Sequence, residues 1–250
     1  MAINNPFSLE GKTILVTGAS SGIGKTIAIE CSKIGANMVI NGRNEERLNQ
    51  TATVIEHGFC QQILADLTVN ADLEKLVEEV PQLDGLVLCA GKAWTMPVKM
   101  ASPDKLLDVF NTNFVAQTEL LRLLFKKKKL NNAASVVIIS SVGGNFVFET
   151  GQVMYGVSKA ALNSYMKFAA NEYAVRKVRV NCICPGMIDT PMIHRGTFTD
   201  EQLQAYLEKY PLGRFGKPED VAYASIYLLS NAAEWVTGTT LVVDGGSSNK

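Results

Sequence analysis

K-T-I-L-V-T-G-A-S-S-G-I-G, residues 12–24, joins an unbroken apolar run to a glycine-rich turn and then to the start of a helical stretch. The run 12–17 has the pattern of a strand covered on both faces. Beyond the turn, Ile23, Ile27, Ile29 and Ile34 recur near helical spacing, and Gly35 is placed to stop the helix. Gly18 permits a tight turn and a close approach of backbone to a pyrophosphate, while Gly22 and Gly24 let the chain enter the helix without Cβ clashes. Ser20 and Ser21 add hydroxyl donors beside the free N–H groups of a helix N-terminus. A glycine turn alone is a weak signal; three glycines at a strand-to-helix junction point to a nucleotide.

The same alternation continues outward from this unit to the end of the chain, without linker or repeat. Strands are predicted at 37–41, 61–65, 85–89, 135–139, 178–184 and 240–243. Helices are predicted at 22–34, 45–57 (opened by Asn44), 71–80, from Ser102-Pro103 to beyond Leu124, 155–175 and 218–229, with a loop-then-helix segment at 187–210. Strands separated by helices of this length need crossover connections, so the sheet is mostly parallel with helices on both faces, three layers in one α/β domain. A closed eightfold barrel is the rival architecture, and the opening motif argues against it.

Composition narrows the classes. The 250 residues carry 24 Lys+Arg and 24 Asp+Glu, so no positive field draws the chain to nucleic acid. No apolar run reaches the length of a bilayer span, and residues 1–10 lack the pattern of a signal peptide, which predicts a cytoplasmic protein without membrane contact. Cys31, Cys60, Cys89, Cys182 and Cys184 form no C-x-x-C pair and are expected to be free thiols. Cys182 and Cys184 read as packing on one strand face. His57 and His194 have no partners at metal-ligand spacing and read as surface or lid residues, so no metal is expected.

The second strand ends Ile40-Asn41-Gly42-Arg43, and the acidic residue that would hold a ribose 2′-hydroxyl is missing there. A guanidinium pairs a phosphate bidentately and Gly42 leaves room for it, so Arg43 favours NADPH over NADH. Glu45 and Glu46 read as first-turn acids of a helix rather than ribose ligands. Asp66 ends the third strand and Cys89-Ala90-Gly91 the fourth, at the sheet edge where open α/β folds bind ligands. Asp66 reads either as a cap or as a contact to adenine. Tyr155 and Lys159, four apart at a helix start, share one face. A phenol with a pKa near 10 becomes a useful acid when a lysine and an oxidised nicotinamide stabilise its anion.

The chain resembles the short-chain dehydrogenases/reductases over its whole length. The motifs that carry the likeness are T-G-A-S-S-G-I-G (17–24), A-D-L (65–67), C-A-G (89–91), N-T-N (111–113), S-S-V-G-G (140–144), Y-G-V-S-K (155–159), N-C-I-C-P-G-M-I-D-T (181–190) and V-D-G-G (243–246). The resemblance implies a Rossmann-type sheet of seven strands, hydride transfer at nicotinamide C4 and a tetrad of Asn113, Ser141, Tyr155 and Lys159. Ser141 would bind the substrate carbonyl, Tyr155 donate the proton, Lys159 bind the nicotinamide ribose and tune Tyr155, and Asn113 hold a water linking Lys159 to solvent. Ser140 is the alternative to Ser141; the distance to Tyr155 favours Ser141. It also implies a cofactor wall made by Ile23, Leu67, Cys89, Ala90, Gly91, Pro185, Gly186, Ile188 and Thr190, together with the turn residues, Arg43 and Asp66. Cys89 stands where the family usually has Asn, and a thiol is the weaker hydrogen-bond partner.

Residues 187–210 match the family's substrate lid, and with Trp94, Met96, Phe146, Phe148 and Met154 they suggest an apolar pocket in which no more than half of these side chains would touch substrate, the rest being core or lid packing. The segments 211–222 and 236–246 are similar to those of 3-oxoacyl-(acyl-carrier-protein) reductases, in which basic residues at helix ends dock an acidic carrier. Lys126, Lys127, Lys128, Lys129, Arg176 and Lys177 fit that role, or simply match a helix dipole in solvent. Ser21 stands where those reductases often have Arg. The resemblance implies an NADPH-dependent reductase of a 3-oxoacyl thioester, assembled as a homotetramer. An NADP-dependent hydroxysteroid or polyol dehydrogenase is the alternative enzyme. A dinucleotide-binding protein without turnover is the alternative of another kind, against which the intact tetrad argues.

Overall fold

The computed structural model describes residues 5–194 and 199–249. In chain order it contains β1 (Thr13–Val16), α1 (Gly22–Lys33), β2 (Asn37–Gly42), α2 (Glu45–Ala52), β3 (Cys60–Leu64), α3 (Asn70–Glu79) and β4 (Leu83–Leu88). These are followed by α4 (Pro103–Phe110), α5 (Ala116–Lys126), β5 (Leu130–Ile139), α6 (Val153–Tyr173), β6 (Arg179–Pro185), α7 (Asp200–Leu207), α8 (Pro218–Leu229) and β7 (Thr240–Val243). The seven strands are all parallel in the order β3-β2-β1-β4-β5-β6-β7. With two open edges it is a Rossmann-type doubly wound sheet and not a barrel.

Alternation along each strand feeds two separate cores. On β1, Ile14 and Val16 face a cluster with Ile27, Ala28 and Cys31 of α1, Leu48 of α2 and Val221, Ile226 and Leu229 of α8. Leu15 faces the other cluster, with Leu73 and Leu76 of α3, Leu120 and Leu124 of α5 and Leu162 and Met166 of α6. A strand apolar at every position is stable only when both faces are covered, which is why T-I-L-V has no polar face. Each fully buried Leu or Ile contributes about 1.5–3 kcal/mol, so the two cores hold the helical layers to the sheet.

The chain runs from β1 outward to β3 on one side, then crosses back to β4 and runs outward to β7. The direction therefore reverses between β1 and β4, and a crevice opens at their C-terminal ends. Thr17 bridges it: the N–H groups of Cys89 and Ala90 donate to Thr17 Oγ1 at 3.0 and 3.1 Å.

Three boundaries depart from the sequence reading. The helix predicted as one piece beyond Ser102 is interrupted at Asn111–Val115 by a turn of π-helix, in which Asn113 is buried. Such turns interrupt the regular ladder and re-aim a side chain. Strand β5 begins five residues early, at Leu130, with Ala133 at φ 62° and a register shift between Leu83 and Gly85 that broke the expected pattern. Helix α2 stops at Ala52 instead of residue 57, where Thr53 and then Gly58 at φ 71° turn the chain toward β3.

Candidate active site

A cavity of about 740 Å³ occupies the crevice. Its phosphate end is built from the first turn. Gly18 has φ 67°, and a Cβ there would lie 2.9 Å from Ala90 Cα; a Cβ on Gly24 would lie 2.5 Å from Gly18 O. Both positions therefore require glycine, the first for conformation and contact and the second for contact alone. Ser21 caps α1 with extended backbone but makes no side-chain cap bond, and the first turn holds no acid. The N–H groups and positive dipole end of a twelve-residue helix are thus left for an anion, and the cradle fits a dinucleotide pyrophosphate.

The ribose end follows from the end of β2. Arg43 donates from Nη1 to Asp66 Oδ2 at 3.1 Å. Asp66 also accepts from Thr68 N–H and Oγ1 at 2.9 and 2.7 Å. Burial opposes its ionisation, but the Thr68 and Arg43 hydrogen bonds prevail and hold its carboxyl below the usual range. Asp66 is a turn-forming residue and a cavity wall at once. Glu45 and Glu46 occupy the first turn of α2, capped by Asn44, whose side chain accepts from Arg47 N–H at 2.8 Å. Arg47 lines the same cavity and, among the described residues, forms no ion pair. Sequence reading overlooked it, although it lies one helical turn beyond Arg43.

The chemical end gathers side chains from three elements. Helix α6 presents Tyr155 and Lys159 on one face; Lys159 Nζ stands 5.7 Å from the Tyr155 ring centroid and donates to Ile139 O at 2.7 Å. The Ser141 hydroxyl accepts Gly143 N–H at 3.0 Å, and a Cβ built on Gly143 would lie 3.3 Å from Ser141 Oγ and 3.9 Å from Tyr155 Cε1, which sets the serine beside the phenol ring. Ser140 instead donates to Lys159 O at 2.8 Å inside the protein. That contact separates the two serines that sequence left open: Ser141 is the one beside Tyr155. Burial pushes the Tyr155 phenol up to about 12, against the opposing pull of the Ser141 hydroxyl, and burial lowers Lys159. The lysine-driven lowering of the phenol expected from sequence is not present in the chain by itself, because desolvation dominates both groups.

Asn113 does not line the cavity. Its Nδ2 donates to Lys92 O and Ser158 Oγ at 2.9 and 3.0 Å, and its Oδ1 accepts Lys92 N–H at 2.8 Å. Both amide N–H donors and one lone pair of Oδ1 are committed to joining the π turn, the loop after β4 and α6, and the main-chain carbonyl of Asn113 accepts Gln117 Nε2 at 2.7 Å. Gln117 also donates to Ala90 O at 2.6 Å. Together with Thr17 these bonds fix the end of β4, so the stretch around Cys89 is pinned through its backbone and does not depend on an amide at that position. Burial pushes the Cys89 thiol up to about 11, leaving an uncharged neighbour for Lys159.

The remaining wall comes from the segment after β6. Pro185, Gly186, Ile188 and Thr190 all line the cavity, as do Ile23, Leu67, Cys89, Ala90 and Gly91. A Cβ on Gly22 would lie 3.4 Å from Thr190 Cγ2, which brings this segment directly against the start of α1.

Comparison with known proteins agrees with this architecture. A family model described as Enoyl-(Acyl carrier protein) reductase matches residues 18–248. A 3-oxoacyl-[acyl-carrier-protein] reductase of Rickettsia prowazekii is 36% identical over 244 residues, covering 95% of this chain and 97% of its own. This chain belongs to the short-chain dehydrogenase/reductase family. As a member of that family it is an oxidoreductase that binds a nicotinamide dinucleotide. Among solved structures, the Pseudomonas aeruginosa RhlG/NADP active-site complex superposes with a TM-score of 0.91 at 32% identity, over 98% of this chain and all (100%) of that one. A gluconate 5-dehydrogenase candidate from Beutenbergia cavernae with bound NADP gives a TM-score of 0.88 at 29% identity, over 98% and 100% of the two chains.

The substrate end of this dehydrogenase/reductase departs from expectation. Trp94, Met96, Phe146, Phe148 and Met154 are all absent from the cavity wall. Met154 is wholly buried in the core, and Phe148 is 81% exposed. The polar side chains of Glu149, Gln152, Tyr206 and Lys209 line it instead, beside apolar Val142, Val147, Met187, Met192 and Ile193. Of the lid span 187–210, residues 195–198 lie outside the described residues. The Tyr210 hydroxyl accepts Met187 N–H at 2.7 Å and ties the two ends of the span together. His57 is exposed, and His194 meets Asp189 at 2.6 Å on the surface; no group of metal ligands occurs among the described residues. All five cysteines are free, and among the described residues no helix is long and apolar enough to cross a membrane.

Proposed function

We propose that this oxidoreductase is an NADPH-dependent carbonyl reductase whose substrate is a 3-oxoacyl thioester. The observation that carries the reading is the convergence of Ser141, Tyr155 and Lys159 on the wall of the cavity whose other end is the glycine cradle. A bound reduced nicotinamide supplies the hydride. Ser141 and Tyr155 hold the ketone oxygen, and Tyr155 passes it a proton. Because burial holds the phenol protonated through the neutral range, it is poised as a donor. Lys159, anchored on the Ile139 carbonyl, stabilises the phenolate left behind. Asn113 acts behind them, fixing the π turn to α6 through its hydrogen bond to Ser158.

Preference for NADPH is supported by Arg43 and Arg47 around the ribose end and by Asn41 and Gly42 at the tip of β2, where a carboxylate would repel a 2′-phosphate. The NADP in the Pseudomonas aeruginosa complex and the substrate named for the Rickettsia relative lie in the same direction. A cytoplasmic homotetramer completes the reading. Two surfaces support assembly: Leu107, Val115 and Phe168 along α4 to α6, and fully exposed Trp235 with Tyr223 near edge strand β7. An acidic acyl carrier is a partner of this reading, but the cation run is not the cavity rim. Lys129 donates to Glu78 O and Val80 O and Arg176 donates to Leu130 O, so both sit at the N-terminal end of β5, whose ten residues separate them from the crevice by roughly 30 Å.

Polyol oxidation is the second reading, and the polar substrate end with Glu149, Gln152 and Lys209 favours it. The deciding assay follows NADPH and NADH consumption with a 3-oxoacyl thioester, and NADP reduction with polyols. Rapid oxidation of NADPH by the thioester is expected; turnover of polyols alone would replace the first reading with the second.

A further inference from the structure

Glu149 and Lys209 both line the cavity but come from distant segments, one from the loop between β5 and α6 and the other from just beyond α7. Glu149 Oε1 meets Lys209 Nζ at 2.9 Å, with the carboxylate side chain 25% exposed and the ammonium 52%. The Tyr206 phenol is hydrogen-bonded to the same carboxylate, and Lys209 Nζ sits 4.3 Å from the Tyr206 ring centroid. Neither partner drifts freely. Gly151, at φ 85°, accepts Met96 N–H at 2.8 Å and fixes the loop, and Tyr210, next to Lys209, is held by Met187. An ion pair is therefore built into the substrate end of a cavity whose chemical groups are Ser141 and Tyr155.

An alkyl tail laid against that pair would strip water from a carboxylate and an ammonium and give nothing back. A charged tail would be attracted by one partner and repelled by the other. A neutral chain with donors and acceptors replaces the lost water on both and leaves the pair intact. We infer that Glu149, Lys209 and Tyr206 form a tail subsite that selects substrates carrying an uncharged hydrogen-bonding arm, amide or hydroxyl, over substrates with a purely alkyl arm. This rests on the ketone-reducing site proposed above and specifies what is attached to the ketone. On the thioester reading the arm is the amide-bearing side of the thioester; on the polyol reading it is a run of hydroxyls.

The experiment compares three ketones on the wild type, Glu149→Gln and Lys209→Met: the 3-oxobutanoyl thioester of N-acetylcysteamine, the 3-oxobutanoyl thioester of an alkanethiol of equal length, and an open-chain polyhydroxy ketone. NADPH titration by fluorescence verifies that each variant is folded and binds cofactor. For the wild type, KM for the amide thioester should be about tenfold or more below that for the alkyl thioester, the scale of a hydrogen bond to a charged group. Each variant should shrink that ratio to about twofold, with kcat for the amide thioester changing far less than KM. Equal KM values for the two thioesters in the wild type, or a ratio that survives both substitutions, would overturn the subsite while leaving the thioester reading intact. Turnover of the polyhydroxy ketone alone, with KM dependent on Glu149 and Lys209, would uphold the subsite and overturn the thioester reading. Turnover of that ketone alone without such dependence would overturn both.

Discussion

The two ends of one cavity obey different rules. At the cofactor end, every residue that sequence analysis assigned to the dinucleotide lines the wall, from Gly18 to Thr190. At the substrate end, none of the five apolar side chains expected there does, and a Glu149–Lys209 ion pair stands in their place. The first end is made from short strand-to-helix turns, where backbone requirements dictate residue type within a few positions. The second is made by loops whose facing depends on contacts far along the chain. Residues that must be glycine for steric reasons announce themselves; residues that only happen to point inward do not.

The largest effect is expected at the chemical groups between the two ends, from Tyr155→Phe. Removing the proton donor should lower kcat by about 10² or more, with NADPH affinity nearly unchanged in a fluorescence titration. Retained turnover would take the phenol out of the mechanism. Reduction should also stay level through neutral pH and fall on an alkaline limb, because the raised pKa keeps the phenol protonated below it. Moving that limb with Lys159→Met would sharpen the link between ammonium and phenol; a limb unmoved by the change would break it.

Next in size is Gly18→Ala, aimed at the cofactor end. The added Cβ meets Ala90 Cα at 2.9 Å and the residue must hold φ 67°, a strain of about 1–3 kcal/mol. The expected outcome is a parallel loss of affinity for NADPH and NADH with a lowered Tm. Undiminished binding of both would show that the turn does not cradle the cofactor.

The sheet, its order and the cradle could be read from sequence because periodicity and glycine placement are local signals. Other features could not. The π turn that buries Asn113 looks, in sequence, like a continuous helix, since Phe110, Phe114 and Leu121 keep apolar residues near the expected spacing. Ser140 and Ser141 are chemically identical; spacing to Tyr155 favours Ser141, but the contact that ties Ser140 to the Lys159 carbonyl is invisible in the sequence. Phe146 and Phe148 sit between Gly144 at φ 82° and Gly151 at φ 85°, where two left-handed turns erase any period that could say which side chain faces in.

Arg47→Ala tests a residue that sequence analysis missed inside the well-read end. Arg43 is already paired with Asp66 at 3.1 Å, so the guanidinium without an ion pair has more to offer a 2′-phosphate. Affinity for NADPH should fall about tenfold, a single charge-assisted contact of roughly 1.5 kcal/mol, and affinity for NADH should hold. Equal losses for both cofactors would move Arg47 from the phosphate to the fold.

The smallest effect is expected where the sequence reading was least accurate. Phe148 is 81% exposed and absent from the cavity wall, one residue from Glu149, which is part of it. Phe148→Ser removes apolar surface from solvent contact and disturbs no packed neighbour, so stability should stay within about 0.5 kcal/mol. KM for the amide thioester should likewise stay within about twofold, whereas Glu149→Gln next door raises it. A large rise in KM for the serine variant would mean that the phenylalanine folds inward over bound substrate, and the substrate end would then be apolar in the working enzyme despite its charged wall at rest. The contrast between neighbouring positions, one silent and one not, is what separates a wall chosen for polarity from a loop that merely passes nearby.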